Sequence, residues 1–354
     1  MPSGAEAITG RIRPGGRALL MLSDALNASI LRALLHGPLP VSELVNRLRP
    51  MSRTTRFSRL RGLEQLGVIA RVRLPGTPPV TYCSLSPSGQ GLLLVVGQFA
   101  KWLAAAPERP SSPDDVIGAR TIKALATAWE STVLRWLAER PCSLNELNAL
   151  SPGEVTYHEV RKVRELLSAT DLIAPAPSDN CGQPYALTDW ARGSAGCIAA
   201  AIHWERTFLD DTRPPSPTEV ETLLLLLLPL VEVPLSLCGG EACSLQIDGH
   251  VDLSVAMEKG RVVTHELSKF NDAKKSRLSG PAESWFDTLT EGHRDFLRAQ
   301  GRVHLTTALA NGLHKVSKRF SITQSKGSAN CNVHRFATRE NRTVPISSDF
   351  MQTM

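Results

Sequence analysis

The sequence predicts an α+β protein: a small winged-helix-like unit of helices with a β-hairpin, present twice, followed by a third, small α+β segment. Three observations predict it. "ILRALLHGPLPVSEL" (30–44) aligns without a gap on "VLRWLAERPCSLNEL" (133–147), and two copies of one small fold account for a repeat of that length. "APERPSSPDD" (106–115) and "DDTRPPSPTE" (210–219) have the Pro, Ser and charge content of domain boundaries. At 354 residues the chain is also longer than one typical domain. The expected segments are 1–106, 116–210 and 216–320. The polar, aperiodic stretch 321–354 is expected to be a disordered tail.

Charge separates these segments. Residues 1–106 carry 13 Lys/Arg against 4 Asp/Glu, a balance of +9. Residues 107–212 balance at −5 and the remainder at +2. A polyanionic partner is therefore expected for the first segment alone. The seven cysteines lie scattered without a CxxC pair, which fits reduced thiols in a cytoplasmic protein better than a disulfide framework or a zinc site. No apolar run follows the early charges, so no secretory leader is expected. The run Leu223–Leu228 is cut short by Pro229, Glu232 and Pro234 and cannot span a bilayer.

Within the first segment the elements follow in order. An amphipathic helix is expected over about Ser23–Leu35, ended by Gly37-Pro38, and a short helix over Val41–Leu48. A longer helix opens at Ser52, a favourable N-cap residue. "IARVRL" and "VTYCSL" are β-prone runs around the turn "PGTPP", and a last long helix runs from about Pro87 to Ala105. Three helices, a hairpin and a helix give the winged helix-turn-helix order, whose third helix is the candidate groove reader. In the second segment the corresponding third helix reads "GEVTYHEVRKVRELLSATDLI", with Glu154, Glu159 and Glu165 beside Arg161, Lys162 and Arg164. That mixture points to packing or dimerisation rather than strong phosphate contact.

On the third helix of the first unit, Leu60, Leu63 and Gly67 share one face at 100° per residue. Thr54, Thr55, Ser58, Arg61 and Gln65 occupy the opposite face. The candidate DNA contacts are Ser52, Arg53, Thr54, Thr55, Ser58, Arg59 and Arg61, joined by Arg71 and Arg73 on the hairpin. Arginine binds guanine through two parallel hydrogen bonds, and hydroxyls suit base edges or phosphates. Arg56 falls on the packing face, so either it snorkels outward past Phe57 or the helix is rotated from this register.

Residues 19–105 resemble the HxlR-type winged-helix transcriptional regulators. The resemblance lies in "ILRALLHGP", the "SEL" helix, Ser52 opening the third helix, "LRGLEQLGVI", and "PPVTY" leading into "LSPSG". Pro40-Val41 and Arg56 depart from the family pattern. The second segment is similar more faintly, through "YALT" (Tyr185–Thr188). Duplex DNA is the expected partner, and a tandem winged-helix chain binds it either as a single pseudo-dimer or as a homodimer on a palindrome.

In the third segment, Ser216-Pro217-Thr218-Glu219 is a capping box with proline at the first helical position. Strand-like runs follow in "VPLSL", "CSLQI", "HVDLSVAM" and "RVVTHEL", then strand, helix, strand, helix over "AKKSRLSGPAESWFDTLTEG" and "AQGRVHLTTALANGLHKV". With Ser279-Gly280-Pro281 before Trp285 and Gly301–Leu305 before the last helix, this segment resembles the sterol-carrier-protein-2-like fold. That resemblance implies an apolar cavity for a hydrophobic small ligand. Trp285 and the leucine run serve equally as filling of an ordinary core.

No HExxH, GxSxG, P-loop or GxGxxG occurs. His265 and Glu266 lack a second histidine at metal-ligand spacing, and His203, His293, His304 and His314 are isolated. Catalysis and cofactors are not expected. The expected function is DNA-binding transcriptional regulation, with a hydrophobic ligand as possible control. The alternative is a lipid- or metabolite-binding protein whose winged helices make protein–protein contacts.

Overall fold

The computed structural model describes residues 15–320 apart from 49–50, 154, 179–181, 210–213, 238–241, 269–275 and 295. The tail expected over 321–354 lies outside the described residues, as do Cys181, Cys238 and Glu154.

Helix α1 (Gly16–Leu22) is an addition to the expected elements, and helix α2 (Ala25–Ala33) lies where the sequence predicts a helix over about Ser23–Leu35. Asp24 separates the two, because its carboxylate accepts the Leu26 N–H at 3.0 Å and starts a new helix. After the short strand β1 (Leu39–Pro40), which the sequence does not predict, helix α3 (Val41–Arg47), helix α4 (Arg53–Gln65), strands β2 (Ile69–Leu74) and β3 (Val80–Leu85) and helix α5 (Pro87–Ala104) follow in the order expected. The strands form a sheet in the order β1-β3-β2, with Ile69 opposite Leu85 and Leu74 opposite Val80.

Helix α6 (Val116–Ala126) then begins a second series. It comprises α7 (Ala128–Glu139), β4 (Cys142–Ser143), α8 (Leu144–Leu150), α9 (Tyr157–Ala169), β5 (Ile173–Pro175), β6 (Pro184–Leu187), the short α10 (Asp189–Arg192) and α11 (Ala195–Phe208). Its sheet runs β4-β6-β5, the counterpart of β1-β3-β2.

The ends of α4 and α9 show the same local chemistry. Each opens on a hydroxyl N-cap, Ser52 or Thr156. Each closes by a Schellman pair: Gly67 N to Glu64 O and Val68 N to Leu63 O, matched by Asp171 N to Ser168 O and Leu172 N to Leu167 O. The residue in the left-handed region is Gly67 (φ 68°) in one and Asp171 (φ 57°) in the other. Gly67 is thus exposed at the helix stop, not part of the packing face as expected.

The two series pack through like elements. Helix α1 lies on α6, and α5 lies along α11. Between them the Trp102 and Trp190 rings stack with centroids 4.5 Å apart and planes 7° from parallel. Each indole N–H donates to the other residue's carbonyl, both at 2.8 Å. Glu205 of α11 is buried and accepts the Gly15 and Ala18 N–H groups at 2.8 and 2.6 Å, which caps α1 from the other series.

The third segment starts with α12 (Pro217–Leu227), opened by the reciprocal Ser216–Glu219 capping box. The expected strand in "VPLSL" is instead a 3-10 turn over Leu235–Leu237 after Pro234. Strands β7 (Ala242–Ile247), β8 (Val251–Glu258), β9 (Arg261–Ser268), β10 (Ser276–Gly280) and β11 (Arg298–Gln300) form one sheet, ordered β11-β10-β7-β8-β9. Among the described residues, the β10–β7 pairing is parallel and the others in this sheet are antiparallel. Helices α13 (Ala282–Glu291) and α14 (Val303–Ser317) complete the segment, with Trp285, Phe286 and Leu289 buried. The leucines of α12 are likewise core residues, and no described helix is long and apolar enough to cross a membrane.

Candidate nucleic-acid interface

Helix α4 owes its position to two buried leucines and a cap. Leu60 and Leu63 are almost wholly buried, and they turn the opposite side outward. The Ser52 hydroxyl accepts the Thr55 N–H at 3.1 Å and lies 2.7 Å from the Thr55 hydroxyl. These bonds fix the N-terminal turn, and Ser52, Arg53, Thr54, Ser58, Arg59, Arg61 and Gln65 are exposed while Thr55 is half-buried.

Arg56 takes neither of the two courses expected for it. It turns inward and donates from Nη1 to the Val45 carbonyl in the last turn of α3, and from Nε to the Ser52 carbonyl at 3.3 Å. A guanidinium therefore clamps the carbonyl end of one helix to the start of the next, where an apolar residue would only pack.

The cations differ in how far they are committed. Arg59 is ion-paired with Asp24 at 2.7 Å, and Arg47 with Glu43. Arg71 points back along β2 to Glu64 at 3.1 Å and is largely covered, so it lies beneath the hairpin rather than at its tip. Arg53 rests over the Phe57 ring, 5.6 Å from its centroid, with no acidic partner among the described residues. Arg61 and Arg73 have no ion pair among the described residues, and both are exposed. Of the nine residues expected at the interface, the structure brings Ser52, Arg53, Thr54, Thr55, Ser58, Arg59 and Arg61 onto one helix surface. Arg73 stands on the hairpin near its turn, and Arg71 is set apart.

Residues 21–110 match the HxlR-like helix-turn-helix family. The matched span starts within α1, contains α4 and the hairpin, and ends just past α5. The chain is also similar to the reduced form of the transcriptional regulator YodB from B. subtilis, at 25% identity over 30% of this chain and 90% of that one, with a TM-score of 0.21. No curated protein sequence matches it.

The counterpart helix α9 is differently equipped. Glu159 folds back onto the helix start, its carboxylate accepting from the Thr156 N–H at 2.8 Å and hydroxyl at 2.9 Å, which holds its pKa below the usual range. Glu165 is bound to Arg161 at 2.9 Å. Counting from the first residue of each helix, Glu165 stands where α4 has Arg61.

Asp24 and Glu64 belong to this surface, yet the sequence does not single them out. Asp24 is legible as an N-cap in "SDAL"; its reach to Arg59 is not, because it depends on how α2 crosses α4. Among the described residues no three His, Cys, Asp or Glu side chains are grouped as a metal site would need.

Proposed function

We propose that this chain is a DNA-binding transcriptional regulator that reads duplex DNA through the exposed face of α4. The observation that carries the reading is the uncommitted guanidinium of Arg61 on the outer face it shares with the Thr54 and Ser58 hydroxyls, with Arg53 at the start of the same helix. Arg61 is assigned to a base edge, Arg53 and Arg73 to phosphates. Arg59 and Arg71 act as supports held by Asp24 and Glu64. The HxlR-like match over residues 21–110 supports this class of function.

We read the second series as a tandem copy of the first, supported by its element order, its β4-β6-β5 sheet and the Schellman ending it shares. In this reading the two copies form a dimer within one chain, joined by α1 on α6, α5 on α11 and the paired tryptophans. Only one copy carries the reading surface, so the chain recognises one half-site in place of a palindrome. The third segment is assigned a hydrophobic small ligand that biases the copies.

Fluorescence anisotropy tests the reading. The full chain is titrated against the upstream region of its own gene and an unrelated fragment at several salt concentrations. Preferential binding upstream with a steep negative salt slope supports it. Equal binding to both fragments removes the base-reading role, and no binding at low salt removes the DNA reading altogether.

A further inference from the structure

The C-terminal sheet has two unlike faces. Leu245, Ile247, Leu253, Val255 and Leu278 are buried in the core. Strand alternation places Ser244, Gln246, Asp252, Ser254, Arg277 and Ser279 on the other face. A sheet face turned freely to water keeps its small hydroxyls wet. Here Ser244 is 8% and Ser279 6% exposed. The Ser279 hydroxyl reaches the Arg298 carbonyl at 3.5 Å, whereas Ser244 Oγ is buried with no hydrogen-bond partner among the described residues.

Register sets Ser244 directly between Arg277 on β10 and Ser254 on β8. Neighbouring strands lie about 4.8 Å apart, so the three side chains share one patch. Arg298, at the edge, is held by Asp248 at 2.7 Å. Arg277 is half-buried and has neither ion pair nor hydrogen bond among the described residues. Asp252 shares the face but lies two strands away and one row along, and Arg277 does not turn to it. A half-desolvated guanidinium and an unmatched buried hydroxyl, side by side, lack the same thing: an oxygen acceptor carrying negative charge.

We propose that this face of the C-terminal sheet is an oxyanion seat, in which Arg277 and Ser244 receive the carboxylate or phosphate group of a small ligand. The seat rests on the ligand half of the proposed function and is independent of its DNA half. Arg277 supplies charge and two parallel donors, Ser244 a third donor, and Asp252 opposes the charge from a distance.

The test uses the full chain with 15N-arginine, following Nε–H signals during titration with inorganic phosphate, acetate and octanoate. The Arg277 signal is assigned by its loss in Arg277→Gln. Saturable movement of that signal before those of Arg53 and Arg61 is the expected result. Phosphate alone acting points to a phosphorylated metabolite; octanoate acting far below acetate points to an apolar carboxylate. Ser244→Ala and Arg277→Gln each weaken binding roughly tenfold or more, Arg277→Lys keeps part of it, and Asp252→Asn tightens it. If the Arg277 signal never moves ahead of the α4 arginines, the seat is overturned. If calorimetry shows octanoate binding wild type and Arg277→Gln alike, the ligand reading stands and the seat falls.

Discussion

Arg59 and Arg61 sit two residues apart on one helix and are expected to behave differently. Arg61→Ala should cost about 1–3 kcal/mol on the cognate site and much less on random DNA, measured by anisotropy. Arg59 is held by Asp24, so its own removal should matter less. Asp24→Asn keeps a good helix cap while releasing Arg59, and is expected to steepen the salt slope by about one phosphate contact. The described thiols make a residue-scale prediction of another kind. Burial pushes Cys83 up to about 11 and Cys243 up to about 12, and raises Cys142 and Cys197 too. All four are expected to resist alkylation in the folded protein at neutral pH, read by mass spectrometry, and to react once it is unfolded.

Helix ends carry the element-scale predictions. Asp171 holds a left-handed conformation that costs a non-glycine residue about 1 kcal/mol, so Asp171→Gly is expected to raise the urea midpoint. Gly67→Ala should lower it by a similar amount. Glu146 of α8 accepts from the Ser143 backbone N–H and from Arg140, which brings its pKa down to about 2. Its folded pKa lies below its unfolded one, so its stabilisation is complete above the ordinary carboxylate range and fades as pH falls toward 2. Glu146→Ala should therefore cost about 1 kcal/mol at pH 7 and almost nothing at pH 2, by urea unfolding. These elements are largely legible in the sequence: β2, β3, α4, α5 and the capping box of α12 come from apolar period, turn residues and cap residues, all local signals. Helix α1 is not legible because what holds it, helix α6 and the Glu205 carboxylate, comes from distant sequence, and the strand expected in "VPLSL" fails because alternation cannot see a proline-led turn. Of the site, the exposed row of α4 is legible. The inward clamp of Arg56 and the covered position of Arg71 are not, since both depend on partners in other elements.

At the scale of the molecule, equivalent arginines tie each series to the segment after it. Arg32 binds Asp114 at 2.6 Å in the stretch after the first series. Arg135, which the alignment of 30–44 on 133–147 sets opposite Arg32, binds Glu221 of α12. Glu221 is 1% exposed and is also bonded by His250 at 2.7 Å, so a single carboxylate ties α7 to the β7–β8 turn. Glu221→Ala leaves Arg135 unpaired and is expected to cost about 3 kcal/mol, measured by chemical denaturation.

The tryptophan pair has a consequence in the cell. Regulators assembled from two chains dissociate on dilution and exchange subunits, so a defective copy can poison a sound one. Here the partners of Trp102 and Trp190 are tethered within one chain, and each meets the other at an effective concentration set by the tether, not by expression level. On the proposed reading, with both copies in one chain, a co-expressed Arg61→Ala allele is expected to be recessive, and regulation to scale with gene dosage.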